Sequence, residues 1–188
     1  MWQHSRLNAP PARELPDRPP FEVLTATVLL DRLVRARPQP SSLLDVGCGG
    51  GRLLRFALRF FPGTPMTGVD ADPQALSMAA ANARHARFVR GTPNALPMPA
   101  ASVDMVTTRQ LAPFAPWPVE LAELRRVLVP GGVLGLAGIA TPSPGHLVAY
   151  GFAIVDTQFV PATPAEPGFS VLIARAVGSL PGYPNSSL

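Results

Sequence analysis

The residues best suited to ligand chemistry form a glycine-rich turn with the sequence Asp45-Val-Gly47-Cys48-Gly49-Gly50-Gly51. The turn follows a short apolar run and precedes a stretch with helical periodicity. Glycines let the backbone turn tightly and approach a ligand closely. In chains that alternate strands with helices, such a turn lies at the carboxyl end of a strand, where nucleotide-like ligands bind. The turn therefore indicates a site for a nucleotide-like ligand.

The spacing of these glycines separates three classes of site. A P-loop requires Gly-Lys-Ser/Thr, and the chain contains no lysine. A dinucleotide fingerprint, G-x-G-x-x-G counted from Gly47, would place Arg52 at its third glycine, which disfavours a NAD-dependent oxidoreductase. The pattern that remains is D-x-G-x-G-x-G.

This pattern resembles the first motif of class I S-adenosylmethionine-dependent methyltransferases, in particular methyltransferase type 11-like domains. Three later segments are similar in order and spacing: GVDADP around Asp70, FVRGTPNALPMPAASVDMV, and LRRVLVPGG. The resemblance covers about residues 41–140. Only TPSPGHLVAYG stands between the fifth and sixth predicted strands, so the chain resembles a compact member with a shortened substrate-binding segment. The resemblance implies S-adenosylmethionine as cofactor and S-adenosylhomocysteine as product.

The resemblance also implies a role for individual residues. Asp45 would reach the amino group of the methionine part of the cofactor, directly or through water. Asp70 would accept hydrogen bonds from both ribose hydroxyls, because a carboxylate has two oxygens. Ala71 would lie against the adenine face. The implied cofactor-binding residues are Asp45, Gly47, Cys48, Gly49, Gly51, Asp70, Ala71, Thr92, Pro93, Arg109 and Gln110.

Thr92 and Pro93 would lie at the adenine edge and depart from the family pattern. Related enzymes usually carry aspartate at the position of Thr92, and threonine accepts a hydrogen bond without charge. Pro93 has no backbone N–H to donate to an adenine ring nitrogen. Loss of one or two such bonds costs on the order of 1–3 kcal/mol. We therefore expect weakened adenine contacts, unless Asn94 compensates.

The acceptor side of the site carries few diagnostic residues. Methyl transfer from a sulfonium is an in-line displacement, in which the protein mainly aligns donor and acceptor. Arg109 and Gln110 would border the transferable methyl; Arg109 would bind an anionic acceptor or form a salt bridge with Asp104 or Glu120. His146 is the catalytic candidate, because histidine can accept a proton near neutral pH. An ordinary loop histidine is the alternative.

The apolar patterning predicts a Rossmann-like α/β fold, a doubly wound, seven-stranded, mostly parallel sheet with an antiparallel C-terminal hairpin strand. We expect a proline-rich arm over 1–20, a methyltransferase domain over 21–177 and a flexible tail over 178–188. The helices are predicted over 21–36, 52–61, 73–84 and 118–128, and the strands over 42–47, 66–70, 87–90, 103–108, 133–139, 152–160 and 169–175.

The composition bounds the environment and the partners. Cys48 is the single cysteine, so no intramolecular disulfide forms and a cytoplasmic location is expected. The sequence predicts no membrane span, no secretory signal and no metal site. All 16 basic residues are arginines, and the formal net charge is +4. Solvated helix faces account for the arginine clusters, and RNA binding is the alternative.

These features favour a methyltransferase that acts on a small-molecule acceptor. One alternative is a non-catalytic, methyltransferase-like partner protein, motivated by Thr92, Pro93 and the short acceptor segment. A second is an RNA-directed methyltransferase, motivated by the arginine clusters. The open acceptor site would be closed by the proline-rich arm, by a second subunit in a homodimer, or by a large substrate.

Overall fold

The computed structural model describes residues 21–110, 117–164 and 166–178, with the side chains of 110, 117 and 118 left undescribed. The predictions for the arm (1–20) and for residues 179–188 lie outside these residues. The elements are α1 (Phe21–Ala36), β1 (Leu43–Val46), α2 (Arg52–Phe60), β2 (Met66–Asp70), α3 (Pro73–Asn82), β3 (Arg87–Arg90), β4 (Val103–Gln110), α4 (Trp117–Val127), β5 (Leu128–Gly138), α5 (Pro144–Ala149), β6 (Phe152–Val160) and β7 (Phe169–Ala176).

In the described part of the chain, seven strands form one sheet in the order β3-β2-β1-β4-β5-β7-β6. Strands β1 to β5 pair in parallel, and β7 runs antiparallel to both β5 and β6. This arrangement confirms the predicted fold class. The strand order reverses between β1 and β4, which are neighbours in the sheet. From β1 the chain continues to β2 and β3 on one side, and from β4 it continues to β5 on the other. Ligands bind outside the carboxyl ends of the strands at such a point.

Helices cover both faces of the sheet because its strands are apolar on both sides. On one face, Leu43 packs with Leu29 of α1 and Leu53 of α2 in a buried cluster. On the other face, Leu44 packs in a cluster with Leu121 of α4. The alternation along β1 therefore assigns Asp45 to the face of α1 and α2, and Val46 to the face of α4.

The predicted bounds of α1, β2, β3 and β6 agree with the structure, and β5 differs. The turn Pro130-Gly131-Gly132 was expected to separate a helix from a strand that starts at 133, yet β5 already begins at Leu128. The register with β4 shifts between Val103 and Met105, which pair with Leu128 and Val133. The extra residues form a bulge with Gly131 at φ 76°. The short helix α5 has no counterpart among the predicted elements.

Candidate functional site

The glycine-rich turn joins the end of β1 to the start of α2, and backbone hydrogen bonds hold it against β2. The N–H groups of Gly47 and Cys48 both donate to the carbonyl oxygen of Val69, at 2.8 and 3.0 Å. Gly47, Gly49 and Gly51 have φ values of 70°, 49° and 74°. This left-handed conformation is one that glycine adopts without steric cost. The alternate spacing of the motif therefore follows from the backbone path of the turn.

The same glycines differ in what a side chain at each position would contact. A Cβ on Gly51 would lie 3.0 Å from the Cα and Cβ of Ala79 in α3, so glycine lets α2 and α3 meet there. A Cβ on Gly47 or on Gly49 would have no heavy atom within 4 Å. Gly51 is thus required for packing, whereas Gly47 and Gly49 face room that a ligand could occupy.

Asp45 is a buried carboxylate at the centre of this edge of the sheet. Its exposed fraction is 1%, and Thr107 of β4 donates a hydrogen bond of 2.9 Å to Oδ1. The other oxygen, Oδ2, has no partner among the described residues. Burial raises the pKa of Asp45 to about 6, against the lowering effects of the Arg109 charge and the Thr107 hydrogen bond. An orphaned carboxylate oxygen of this kind is suited to a cationic or hydrogen-bond-donating ligand group.

Asp70, the last residue of β2, shapes the turn with its carboxylate. Oδ2 accepts a hydrogen bond of 2.8 Å from the N–H of Gly49, and Oδ1 accepts one of 3.0 Å from the N–H of Asp72. Asp72 in turn caps α3 by accepting from the N–H of Gln74. Each oxygen of Asp70 keeps a second lone pair, and the side chain is half-buried. The residue therefore combines a structural role with remaining capacity for ligand hydroxyls.

Arg109 lies near the end of β4, on the same face as Asp45 and next to the start of α1. Its Nη1 donates to the carbonyl oxygen of Glu22 at 3.3 Å, and its buried Nε has no partner among the described residues. The predicted alternative, a salt bridge from Arg109 to Asp104 or Glu120, is wrong. Neither pair occurs among the ion pairs of the described residues. Asp104 pairs instead with Arg37 at 2.6 Å. An unpartnered guanidinium N–H and an unpartnered carboxylate oxygen thus occur on adjacent strands.

A small cavity of about 120 Å³ lies at this edge of the sheet. A larger cavity of about 530 Å³ lies before β1 and β2, at the opposite edge, and contains none of the predicted site residues. We assign function to the smaller one, because it adjoins the glycine turn at the strand-order reversal. Its lining residues are Val46, Gly47, Pro93, Thr108, Arg109 and Glu120.

Glu120 entered the sequence analysis only as a salt-bridge partner, yet it lines this cavity with 9% exposure. Burial raises its pKa. It shares a buried helical stripe with Leu121 and Leu124. The signal that could have identified it was therefore a carboxylate at an apolar-periodic position of a predicted helix.

Residues 43–132 match the family model described as a methyltransferase domain. Demethylmenaquinone methyltransferase from Thermus thermophilus is 33% identical over 111 residues, which span 56% of this chain and 50% of that protein. The chain spans about half the length of the curated relatives it matches. With the motif, the sheet order and the family match combined, the identity follows. Over residues 43–132, just under half of its length, the chain matches the methyltransferase domain family, and its fold is that of class I S-adenosylmethionine-dependent methyltransferases.

Solved structures agree on the fold of this methyltransferase domain. 1,6-Didemethyltoxoflavin-N1-methyltransferase from Burkholderia thailandensis, solved with S-adenosylhomocysteine, superposes with a TM-score of 0.67 at 23% identity, covering 81% of this chain and 78% of that one. The 4+2 cyclase SpnF superposes with a TM-score of 0.67 at 22% identity, covering 80% and 81%. The fold therefore hosts more than one reaction, and the reaction must be argued from the site.

S-Adenosylmethionine is the cofactor of the family, and the residues of the methyltransferase domain fit it. The orphaned Oδ2 of Asp45 suits an ammonium group, and the orphaned Nε of Arg109 suits a carboxylate. The open space above Gly47 and Gly49 leaves room for the chain between these groups and the nucleoside. An amino-acid end that carries both charges complements this pair of groups.

The other predicted site residues lie at the same edge of the sheet. Ala71 directly follows β2, and Thr92 forms a tight turn by accepting from the N–H of Ala95 at 3.1 Å. Gln110 ends β4 in register with Gly138, and its side chain is not described. Cys48 is buried, and burial raises the pKa of its thiol to about 12, so the thiol stays protonated and unreactive.

His146 lies in α5, after the carboxyl end of β5. Its side chain is exposed, and Nδ1 is 3.2 Å from Oγ of Ser143, the residue that caps α5. The structure therefore brings His146 to the same edge as the glycine turn, on the β5 side. Its role as a base stays a prediction.

The arginine clusters take part in many ion pairs. All three members of the cluster in α1 and its following turn bind carboxylates: Arg32 with Asp156, Arg35 with Asp31 and Arg37 with Asp104. Within the described ranges, no three His, Cys, Asp or Glu side chains group so as to hold a metal ion. Of the helices that the structure describes, none combines the length and apolarity that crossing a membrane requires.

Proposed function

We propose that this domain transfers the methyl group of S-adenosylmethionine to a small-molecule acceptor by in-line displacement. The observation that carries the proposal is that two buried groups of opposite charge lie near the glycine turn and that each lacks a hydrogen-bond partner among the described residues. Asp45 Oδ2 and Arg109 Nε belong to neighbouring strands and have no partners among the described residues. Buried polar atoms without partners are rare in folded proteins, and a bound ligand that carries both charges would satisfy these two together.

The proposed roles follow from which groups are free to bind. Asp45 accepts from the ammonium of the amino-acid end, and Arg109 donates to its carboxylate. Asp70 accepts from the ribose hydroxyls through lone pairs not used by Gly49 and Asp72. Thr92 lies at the adenine edge, together with Pro93.

The side of the site that holds the methyl acceptor is formed by the end of β4 and the segment after β5. When bound, the cofactor supplies an electrophilic methyl group, so the protein needs only to hold the acceptor in line and exclude water. Arg109 and Gln110 border the transferable methyl. His146 takes the proton from acceptors whose nucleophilic atom must lose one. Relatives named for small-molecule methylation support this class of acceptor.

The test is isothermal titration of S-adenosylhomocysteine into the protein, followed by a screen of small acceptors for methylation. We expect saturable binding that weakens at least about tenfold in Asp45→Asn, because a neutral amide replaces the charged acceptor. The matched control is Asp31→Asn, which removes an exposed carboxylate of α1 that pairs with Arg35. Absence of binding at about 1 mM ligand would refute the proposal.

A further inference from the structure

The arginines of the described residues divide into two groups by whether they have partners. Most of them donate to a carboxylate or to a backbone carbonyl oxygen. Four take part in none of the ion pairs and hydrogen bonds of the described residues, and all four are exposed. We call them the basic surface, which consists of Arg55, Arg59, Arg84 and Arg87.

One hydrogen bond brings the two halves of the basic surface together. Nε2 of His85 donates to the carbonyl oxygen of Leu54 at 2.9 Å. The residue after Arg84 therefore contacts the residue before Arg55. Arg59 follows one turn later on the same face of α2. The basic surface is thus continuous from α2 to the connection between α3 and β3.

No acidic side chain balances this charge. Between residues 46 and 103 the chain contains six arginines, and Asp70 and Asp72 are its acidic residues. Both aspartates lie at the carboxyl end of β2, beside the glycine turn. Arg87, in contrast, is the first residue of β3, at the opposite edge of the sheet. Positive charge gathered in this way attracts a polyanion, and it does so away from the edge that carries the glycine turn.

The chemistry of the basic surface fits phosphate groups better than an acidic protein or a membrane. A guanidinium group binds phosphate through two parallel hydrogen bonds. The large apolar side chains exposed between residues 46 and 103 are Leu58 and Met78, on separate helices. The surface therefore lacks the apolar centre of a protein interface. It also lacks the continuous apolar stripe that a helix inserts into a bilayer surface.

The shape of the basic surface favours a duplex over a single strand, and RNA over DNA. Single-strand binding uses exposed aromatic rings that stack on bases, and Phe56, whose ring lies 5.4 Å from the Arg55 guanidinium, is half-buried. Helices α2 and α3 pack against the sheet and against each other. Neither projects like a helix that enters the major groove of DNA. Duplex RNA is instead bound through its shape and its phosphates across a wide, shallow minor groove.

We propose that the basic surface binds the phosphate backbone of double-stranded RNA. This function goes beyond methyl transfer and does not depend on the cofactor site proposed above. Each contact with a duplex phosphate contributes about −0.9 to the slope of log K against log salt. Four contacts therefore predict a slope of about −3.6 or steeper. Affinity should fall at least about a hundredfold when KCl rises from about 50 to about 200 mM.

The experiment measures the fluorescence anisotropy of a labelled RNA duplex of about 20 base pairs, titrated with the full chain at several KCl concentrations. Arg59→Gln and Arg84→Gln should each make the slope shallower by about 0.9 and weaken binding about five- to tenfold at about 100 mM KCl. The matched control is Arg35→Gln, which removes the same charge from an exposed position of α1 that pairs with Asp31. Its affinity should stay within about twofold of wild type. Equal losses in R35Q and R59Q would show that binding follows net charge, and would overturn the assignment.

Other probes decide the class of partner. These are single-stranded RNA, duplex DNA of the same sequence, polyglutamate, and vesicles of phosphatidylcholine with phosphatidylserine. Tighter binding of any of them than of the RNA duplex overturns the proposal. So does the absence of saturable binding of the RNA duplex at about 50 mM KCl and up to about 100 µM protein.

One further variant separates this surface from the cofactor site. Asp45→Asn should keep the RNA affinity of the wild type within about twofold, because Asp45 lies at the edge of the glycine turn. A loss of RNA binding in this variant would place the RNA at that edge and overturn the role of the basic surface. Failure to bind S-adenosylhomocysteine would refute the proposed function and leave the RNA result intact. Melting curves show that each variant is folded before its affinity is compared.

Discussion

The hydroxyl of Thr107 donates a hydrogen bond of 2.9 Å to one oxygen of Asp45 and leaves the other oxygen buried without a partner among the described residues. The two residues pair directly across β1 and β4. Thr107 thereby sets the orientation of a carboxylate whose ionisation is opposed by its burial. In the ligand-free protein the buried charge of Asp45 is therefore unfavourable, and a bound cationic group would remove part of this cost.

Asp45→Asn should therefore stabilise the ligand-free protein while weakening ligand binding. Ionising Asp45 in the fold costs about 3 kcal/mol, from a pKa near 6 instead of 3.8. An unpaired amide at Oδ2 costs about 1–2 kcal/mol. We expect the free energy of unfolding at pH 8, measured in urea, to rise by about 1–2 kcal/mol. A variant less stable than wild type at pH 8 would contradict this account.

The same carboxylate predicts how stability and affinity depend on pH. Because the folded pKa is raised, protonation of Asp45 favours the fold; the advantage is present below 3.8 and is lost as pH rises toward about 6. The stability gained in Asp45→Asn should thus disappear by about pH 4. Conversely, S-adenosylhomocysteine affinity should fall as pH drops below about 6, because protons compete with the ligand ammonium. The difference between wild type and variant isolates Asp45 from other groups.

Arg109→Gln should weaken ligands that carry a carboxylate and spare ligands that lack one. We expect the dissociation constant of S-adenosylhomocysteine to rise about ten- to a hundredfold, the range of a charge-assisted hydrogen bond. Binding of 5′-methylthioadenosine, which has no amino-acid end, should not change. Arg84→Gln, at an exposed position after α3, is the control for net charge. Equal loss for both ligands would show that Arg109 acts on the fold of the site.

Gly51→Ala should destabilise the protein more than Gly63→Ala. Both glycines have left-handed φ values, 74° and 80°, so both variants incur a backbone cost of about 1–2 kcal/mol. A Cβ at Gly51 also meets Ala79 at 3.0 Å, whereas a Cβ at Gly63 meets nothing within 4 Å. The extra loss from overpacking should be about 1–3 kcal/mol in urea unfolding. Equal losses would mean that α2 and α3 can move apart without cost.

His146→Asn should lower the rate of methyl transfer to an acceptor that must lose a proton, by about a hundredfold. S-Adenosylhomocysteine affinity should stay within about twofold, because α5 lies on the β5 side and the cofactor groups lie around β1. The measurement is kcat with the acceptor identified in the screen, together with its pH profile. An unchanged kcat would leave His146 as an ordinary surface residue.

How far the sequence alone leads depends on whether a feature is local. The glycine spacing, the proline and N-cap of α3 and the apolar alternation report backbone conformations that each segment adopts by itself. For this reason the strand–helix order, the tight turn at the glycines and the position of Asp70 at the end of β2 could be predicted. The bounds of β5 could not, because the bulge at Gly131 depends on the register with β4, which is set by a strand distant in sequence.

The sequence by itself determined the class of the fold and the edge at which we propose that a ligand binds, since both follow from periodicity and turn chemistry. Only the tertiary structure decided which polar groups remain unsatisfied there. Thr107, which orients Asp45, and Arg109 come from β4, far from the glycine turn along the chain. Their burial and hydrogen bonding depend on how β4 packs, and burial is what turns an ordinary carboxylate into a group that requires a ligand.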